Sequence, residues 1–224
     1  MSDEILATGA AIRVTGPRDG LVVLCVNGGT ARERPGTWSA SLEYLVGRLA
    51  PTLSDVGWAE VRYRVRSWKQ LEMCIDDGSA ALDAIVTSGA REVVLLGYSM
   101  GGAVASAIAG HPRVHRVIGL APWLPERLPM PGMRGKRFDV LHGSLDRYLP
   151  GIPGVSPTGS REGFERLRRN GSSGTYTLIP GAIHAIALRA PWGSIVPVPH
   201  AARWAEHVRN VLTAPAHAHG ESPD

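Results

Sequence analysis

The sequence has few cysteines and no long apolar run. Cys25 and Cys74 are the only cysteines among 224 residues, and neither has the spacing of a metal-binding motif. We therefore expect buried free thiols in a reducing compartment, although a single disulfide stays open as an alternative. No stretch approaches the roughly 18 apolar residues that a membrane-spanning helix needs. The sequence predicts neither a cysteine-based metal site nor a transmembrane segment.

Charge clusters and targeting signals are equally sparse. The net charge is only +4, and no stripe of Lys and Arg is interleaved with aromatics, so nucleic acid is not an expected partner. The start, MSDEILATGA, lacks the basic and apolar regions of a signal peptide, which predicts a cytoplasmic protein. We expect one α/β domain over residues 1–224, with its core at about 20–212 and a flexible tail at 214–224, as a monomer or small homo-oligomer.

Strand patterns alternate with helix patterns along the chain. Apolar or alternating runs predict strands within 6–15 and at 21–26, 60–65, 93–96, 114–120, 138–142 and 175–179. The strand at 60–65 alternates Val or Tyr with Arg, which predicts a half-exposed strand near a sheet edge. Helical spacing predicts helices at 39–49, 75–88, 100–109, 161–170 and 201–212. The alternation predicts a mostly parallel central sheet with helices on both faces and ligands at the carboxyl ends of the strands.

The run EVVLLGYSMGGAV at residues 92–104 is the most informative segment. A buried-strand pattern leads through Gly97, Ser99 and Gly101 into small, helix-compatible residues. A serine at the apex of a strand–turn–helix needs a strained backbone, and the flanking glycines let strand and helix approach closely. The run therefore predicts that Ser99 is a nucleophile. The alternative is a glycine-rich turn with an ordinary serine.

Two later residues could activate this serine. Asp146 lies just past the end of one predicted strand, and His184 lies just past the end of the last. The order Ser99, Asp146, His184 along one sheet edge predicts a triad in which the histidine takes the serine proton and the aspartate orients it. Asp146 could instead only form a turn, and His184 could be structural. Asp139 is a rival acid at the wrong end of its strand, and His142 lies inside that strand.

An acyl intermediate needs two N–H donors for its oxyanion. The Met100 N–H, directly after the serine, is one candidate, and the loop after the strand at 21–26 supplies the other. Gly29 is the first choice in that loop, and Thr30 is the second choice and a candidate substrate contact. Aromatic side chains near the same edge could line the pocket or only pack within loops. They are Trp68, Tyr98, Trp123 and Trp192.

Taken together, these motifs resemble the serine hydrolases of the α/β-hydrolase fold. The matching runs are VLCVNGG, VVLLGYSMGG, VLHGSLDRYLP and IPGAIHAI, and the resemblance covers about residues 20–212. The chain departs from many members in two places. Asn27 stands where they carry His, and the segment LPERLPMPGMRGKR after Trp123 is too short and proline-rich for their helical cap. The chain is similar to the small capless members, such as dienelactone-hydrolase-like and simple carboxylesterase proteins.

The resemblance implies a hydrolase that cleaves a small-molecule carboxylic ester through an acyl-enzyme intermediate, with no metal or organic cofactor. The same site could act on a thioester or a lactone, or transfer the acyl group to an acceptor other than water. A binding protein that keeps the fold without turnover is the alternative from another class. Without a cap, the segments at 122–137 and 147–162 are the candidate loops over a shallow cleft.

Overall fold

The computed structural model describes residues 3–147 and 154–214. Its strands are β1 (Glu4–Ile5), β2 (Ala11–Thr15), β3 (Gly20–Val26), β4 (Arg34–Pro35), β5 (Val56–Arg62), β6 (Val65–Arg66), β7 (Ala90–Tyr98), β8 (Val114–Leu120), β9 (Arg137–Gly143), β10 (Tyr176–Ile179), β11 (Ala187–Arg189) and β12 (Ile195–Pro197). Its helices are α1 (Ala40–Leu49), α2 (Leu71–Thr87), α3 (Met100–Ile108), α4 (Pro157–Arg169) and α5 (Ala201–Thr213).

An eight-stranded sheet forms the middle layer, in the order β1-β2-β5-β3-β7-β8-β9-β10. Every neighbouring pair from β5 to β10 is parallel, and β2 and β1 add antiparallel pairs at one end. The central strands β3 and β7 are continuous apolar runs because helices cover both of their faces. The mostly parallel sheet predicted from the sequence is therefore confirmed.

Helices cover both faces of this sheet. Helices α1 and α5 pack on one face, where Leu45 and Trp204 are fully buried, and α2, α3 and α4 pack on the other, around Leu82 and Phe164. The apolar stripe of each helix faces the strands, as its spacing in the sequence predicts. The segment 121–136, between β8 and β9, holds one short 3-10 turn, Pro131–Met133, and no helical cap.

Both cysteines are free and buried. Burial raises the pKa of the Cys25 thiol, and it raises that of Cys74 to about 11. Neither thiol is therefore a reactive thiolate at neutral pH. The prediction of buried free thiols is confirmed. Among the helices within residues 3–147 and 154–214, none is long and apolar enough to cross a membrane.

One strand prediction was wrong. The strand predicted at 60–65 is β5, which spans Val56–Arg62, lies between β2 and β3 and is buried over most of its length. Its Glu60 is buried, yet the carboxylate accepts hydrogen bonds from Arg13 at 2.8 and 2.9 Å. The charged Glu60 of this strand therefore belongs to a buried ion pair and does not indicate a solvent-exposed face of the strand.

The sequence also missed structure near the carboxyl end. The predicted last strand is followed by a hairpin of β11 and β12, and α4 begins at Pro157, inside the segment predicted as a covering loop. The part of that loop at 148–153 and the predicted tail from 215 onward lie outside the described residues.

Candidate active site

Ser99 lies at the sharp turn between β7 and α3. Its φ of 55° and ψ of −120° fall in a region that residues other than glycine rarely adopt. Its N–H donates to the Leu120 carbonyl of β8 at 2.9 Å, and its own carbonyl accepts from the Trp123 N–H at 2.9 Å. The neighbouring strand thus holds the strained conformation in place.

Glycines on either side of the serine make this turn possible. A Cβ on Gly101 would lie 2.1 Å from the Val26 carbonyl oxygen, and a Cβ on Gly97 would lie 2.3 Å from the carbonyl oxygen of Gly101. Both contacts are with backbone atoms, which have little freedom to move aside. The glycine spacing in the sequence therefore follows from the close approach of α3 to the ends of β3 and β7.

Asp146 and His184 form a hydrogen-bonded pair at the same sheet edge. Asp146 follows β9, His184 follows β10, and the distance from His184 Nδ1 to Asp146 Oδ2 is 2.6 Å. Burial would raise the pKa of the Asp146 carboxyl, but the hydrogen bonds and charges of two histidine rings outweigh it and lower this pKa. Because the resulting carboxylate only accepts, Nδ1 of His184 is the protonated nitrogen and Nε2 is left to accept a proton.

Ser99 and His184 line the same cavity, which has a volume of about 610 Å³. Among the described residues, no hydrogen bond engages the Ser99 hydroxyl, so the serine and the histidine share the cavity without being hydrogen-bonded to each other. Such contacts often tighten only when substrate binds. Tyr98 supports the histidine: its ring centroid is 5.2 Å from that of His184, and its hydroxyl donates to the His184 carbonyl at 3.2 Å.

The loop after β3 approaches the serine, since a Cβ on Gly28 would lie 3.2 Å from the Ser99 Cβ. The Asn27 Oδ1 accepts from the Gly28 N–H at 2.7 Å, and the Asn27 Nδ2 donates to the Thr37 carbonyl at 2.9 Å. The Gly28 N–H is therefore engaged, whereas the Gly29 N–H has no partner among the described residues. A Cβ on Gly29 would lie 2.4 Å from Met100 Sδ, so this loop passes directly over the start of α3.

The Met100 N–H is the first of α3 and has no partner within the helix. Gly29 and Met100, the two residues predicted as oxyanion donors, are neighbours, because the Gly29 backbone lies against the Met100 side chain. Thr30, the second choice, is not on the cavity wall. Its hydroxyl lies 2.6 Å from the Arg32 carbonyl oxygen and 2.8 Å from that of Arg66, so it ties the loop together.

The aromatic wall differs from the predicted set. Tyr98 and Trp68 line the cavity, but Trp123 lines a neighbouring cavity and Trp192 does not contribute at all. Trp192 lies in the turn between β11 and β12 and is 78% exposed, because the hairpin directs it into solvent. Trp38 lines the cavity without having been predicted.

Comparisons with known proteins identify the fold. No protein-family model and no curated protein matches the sequence. A sugar hydrolase from Lactococcus lactis matches the structure with a TM-score of 0.68 at 16% identity, over 94% of this chain and 96% of that one. An esterase from Exiguobacterium antarcticum matches with a TM-score of 0.64 at 13% identity, over 95% and 99%. An α/β-hydrolase enzyme from a Medee basin deep-sea metagenome library matches with a TM-score of 0.63 at 16% identity, over 83% and 84%.

The chain has the α/β-hydrolase fold. The fold predicted from the sequence motifs is thereby confirmed, including the absence of a helical cap between β8 and β9. In this α/β-hydrolase fold, residues 3–147 and 154–214 contain no group of three or more His, Cys, Asp or Glu side chains that could hold a metal ion.

A second histidine of the α/β-hydrolase sheet, His142 near the end of β9, also reaches the acid. Its Nε2 lies 3.1 Å from Asp146 Oδ2 and 2.9 Å from the Val155 carbonyl oxygen. Because the carbonyl only accepts, Nε2 carries the ring proton, and Nδ1 is buried without a partner. In the sequence, His142 is predicted to lie inside a strand and is not a candidate for the triad. The structure shows that its side chain lies against the loop that holds Asp146.

We expect His142→Phe to lower the free energy of unfolding of this α/β-hydrolase domain by about 1–3 kcal/mol, because the substitution removes a buried donor from Asp146 and Val155. Phenylalanine keeps the stacking with Tyr176, whose ring centroid is 6.1 Å away. Urea unfolding followed by tryptophan fluorescence measures the effect. His142→Gln retains an N–H donor and should recover part of the loss. Equal stability of the Phe variant and the wild type would show that the donor contributes nothing.

Proposed function

We propose that this chain is a serine hydrolase that cleaves a small-molecule carboxylic ester, with Ser99 as nucleophile, His184 as base and Asp146 as the residue that orients the base. The proposal rests on the 2.6 Å hydrogen bond between His184 Nδ1 and Asp146 Oδ2. His184 lines a cavity whose wall also contains Ser99, and the backbone φ of Ser99 is 55°. An esterase among the matched structures is consistent with this chemistry.

In the first step His184 Nε2 accepts the proton of the Ser99 hydroxyl as the serine oxygen attacks the ester carbonyl carbon. The imidazole ring becomes positively charged, and the ionised Asp146 stabilises that charge through Nδ1. The imidazolium then gives its proton to the departing alcohol oxygen. The products of this half-reaction are the free alcohol and an acyl group on Ser99.

The carbonyl oxygen becomes an oxyanion during this attack. The N–H groups of Met100 and Gly29 are the donors proposed to bind it, because neither has another partner among the described residues. The positive end of the α3 dipole adds to the stabilisation. Loss of one such donor typically costs about 10²–10³-fold in kcat.

Water completes the cycle. His184, neutral again, accepts a proton from a water molecule as that water attacks the acyl carbon, and the second oxyanion forms in the same place. Collapse of the intermediate releases the carboxylic acid and restores the Ser99 hydroxyl. The chemistry is carried by side chains and backbone N–H groups of this chain.

A substrate panel and an active-site label test the proposal together. We expect p-nitrophenyl esters to be hydrolysed with a higher kcat/KM than the acyl-CoA thioesters of the same acids, and a fluorophosphonate probe to modify Ser99 alone, as located by peptide mass spectrometry. Protein unfolded in urea is the control and should not be labelled. Faster thioester cleavage would reassign the substrate class. If the protein neither hydrolysed an ester nor reacted with the probe, the result would favour the alternative of a binding protein with this fold.

A further inference from the structure

The cavity wall carries positive charge that no carboxylate of the wall neutralises. Arg66, Arg147 and Arg189 line the cavity, and no Asp or Glu does so. Arg189 is compensated from outside the wall, because its Nη2 lies 2.6 Å from Glu43 Oε2. Arg66 and Arg147 form no ion pair with a described residue. The segment next to Arg147 that the structure does not describe reads YLPGIP and contains no acidic residue.

Arg66 differs from two other half-buried arginines, Arg64 and Arg13. Arg64, two residues earlier, has its Nε 2.7 Å from Asp77 Oδ1, and Arg13 has its Nε 2.8 Å from Glu60 Oε1. The Nε of Arg66, in contrast, is buried with no hydrogen-bond partner within residues 3–147 and 154–214. Burial, and then the nearby charge of Arg34, lower the pKa of the Arg66 guanidinium. The guanidinium groups of Arg64, Arg13 and Arg166 bond to carboxylates or carbonyl oxygens, whereas that of Arg66 bonds to neither among the described residues.

The chain also holds Arg66 in place at the cavity wall. Arg66 is paired in register with Arg34 across β4 and β6, although like charges at opposite positions destabilise a strand pair. The Arg66 carbonyl accepts from the Thr30 hydroxyl at 2.8 Å, and the Thr30 carbonyl accepts from the Trp68 N–H at 3.1 Å. The arginine is thus tied to the loop that carries Gly29.

From these observations we infer that Arg66 is an anion-binding residue of the site and that the substrate is an ester that also carries a carboxylate. This inference deepens the proposed function and rests on it. A guanidinium binds a carboxylate through two parallel hydrogen bonds, and a bound carboxylate would neutralise a charge that nothing else in the site neutralises. Trp38 and Trp68 supply the apolar wall for the carbon chain between the two groups. The exposed Arg147 at the rim adds long-range attraction for an anionic substrate.

Two esters that differ only in charge test the inference. Mono-p-nitrophenyl adipate carries a free carboxylate, and p-nitrophenyl methyl adipate is its neutral counterpart. We expect the wild type to prefer the anionic ester in kcat/KM, and Arg66→Gln to reduce the ratio of the two kcat/KM values by about 10- to 100-fold, mostly through KM for the anionic ester. Arg66→Lys, which keeps the charge without the fork, should restore part of the ratio. Arg32→Gln removes an equal charge from an exposed residue outside the cavity and should leave the ratio unchanged.

Binding without turnover separates this inference from the proposed function. Calorimetric titration of the Ser99→Ala protein with monomethyl succinate, glutarate and adipate should show binding that Arg66→Gln weakens and that rising salt also weakens. Binding that depends on Arg66 would support the anion site even if no ester were hydrolysed. An equal kcat/KM on the two adipates in the wild type, an equal loss on both in Arg66→Gln, or no binding of the three monoesters would overturn it. Circular dichroism of each variant confirms that it is folded.

Discussion

Replacing Ser99 by alanine is expected to lower kcat for ester hydrolysis by about 10⁶-fold, nearly as much as the loss of all three triad residues. The serine oxygen is the atom that forms the acyl bond in the proposed mechanism, and no other hydroxyl lies at a strained turn in the cavity wall. The substitution should leave the fold intact, because the Ser99 hydroxyl has no hydrogen-bond partner among the described residues. Steady-state kinetics on a p-nitrophenyl ester and thermal unfolding measure the two effects.

The control for this experiment lies in α3, the helix that follows Ser99. Ser106 is fully buried in α3, and its hydroxyl also lacks a partner. Ser106→Ala therefore makes the same chemical change near the site without touching the cavity, and both its activity and its stability should match the wild type. Residual turnover above a tenth of the wild-type value in Ser99→Ala would remove Ser99 as the nucleophile.

The fold and the placement of the candidate triad could be predicted because local backbone geometry dictates them. The clash of a Cβ at Gly97 or Gly101 with backbone atoms leaves glycine as the residue that fits, so the pattern around Ser99 is visible in the sequence. Asp146 and His184 follow strand ends, and parallel strands bring their carboxyl ends to one edge whatever the loops contain.

The features that the sequence did not predict depend on contacts between distant segments. Trp38 precedes α1 in a loop with no pattern. It lines the cavity, and the Arg13 guanidinium, which is not on the cavity wall, lies 4.4 Å from its ring centroid. Trp192 was expected near the site because it follows His184 closely, but the hairpin of β11 and β12 turns the chain outward. Neither outcome is encoded in spacing or composition.

The charged side chains illustrate the same limit. Arg64 and Arg66 look alike in the run VRYRVRSW, and only the structure shows that the first meets Asp77 while the second meets no carboxylate. The residue type determines which interactions a side chain can form. Which partner it meets, and therefore its role, depends on a residue from another part of the chain. The strand at 60–65 was wrongly predicted to be half-exposed for the same reason, since the partner that neutralises its Glu60, Arg13, lies on a different strand.

The second large effect is expected at the acid. Asp146→Asn should lower kcat/KM by about 10⁴-fold, because an amide cannot stabilise the imidazolium and does not enforce the tautomer with its proton on Nδ1.

The lowered pKa of Asp146 also has a consequence for stability. A depressed pKa in the folded state means that the ionised group stabilises the protein above its ordinary pKa of about 3.9, and that this contribution is lost as the pH falls through the lower folded value. The stability difference between wild type and Asp146→Asn should therefore be present at pH 7 and shrink as the pH falls below the ordinary pKa of about 3.9.

Asp139, the rival acid of the sequence, provides the matched comparison. It is fully buried on β9, its Oδ2 lies 2.7 Å from Arg137 Nε, and its Oδ1 accepts from the Thr175 hydroxyl at 2.8 Å. Asp139→Asn breaks a buried ion pair, so we expect it to lower the free energy of unfolding by about 3–5 kcal/mol. Because this carboxylate contacts neither His184 nor the cavity, kcat per folded molecule should stay within a few-fold of the wild type. Urea unfolding of both variants, with activity corrected for the folded fraction measured by circular dichroism, separates the two roles. A 10⁴-fold loss of kcat/KM in folded Asp139→Asn, with Asp146→Asn fully active, would transfer the acid role to Asp139.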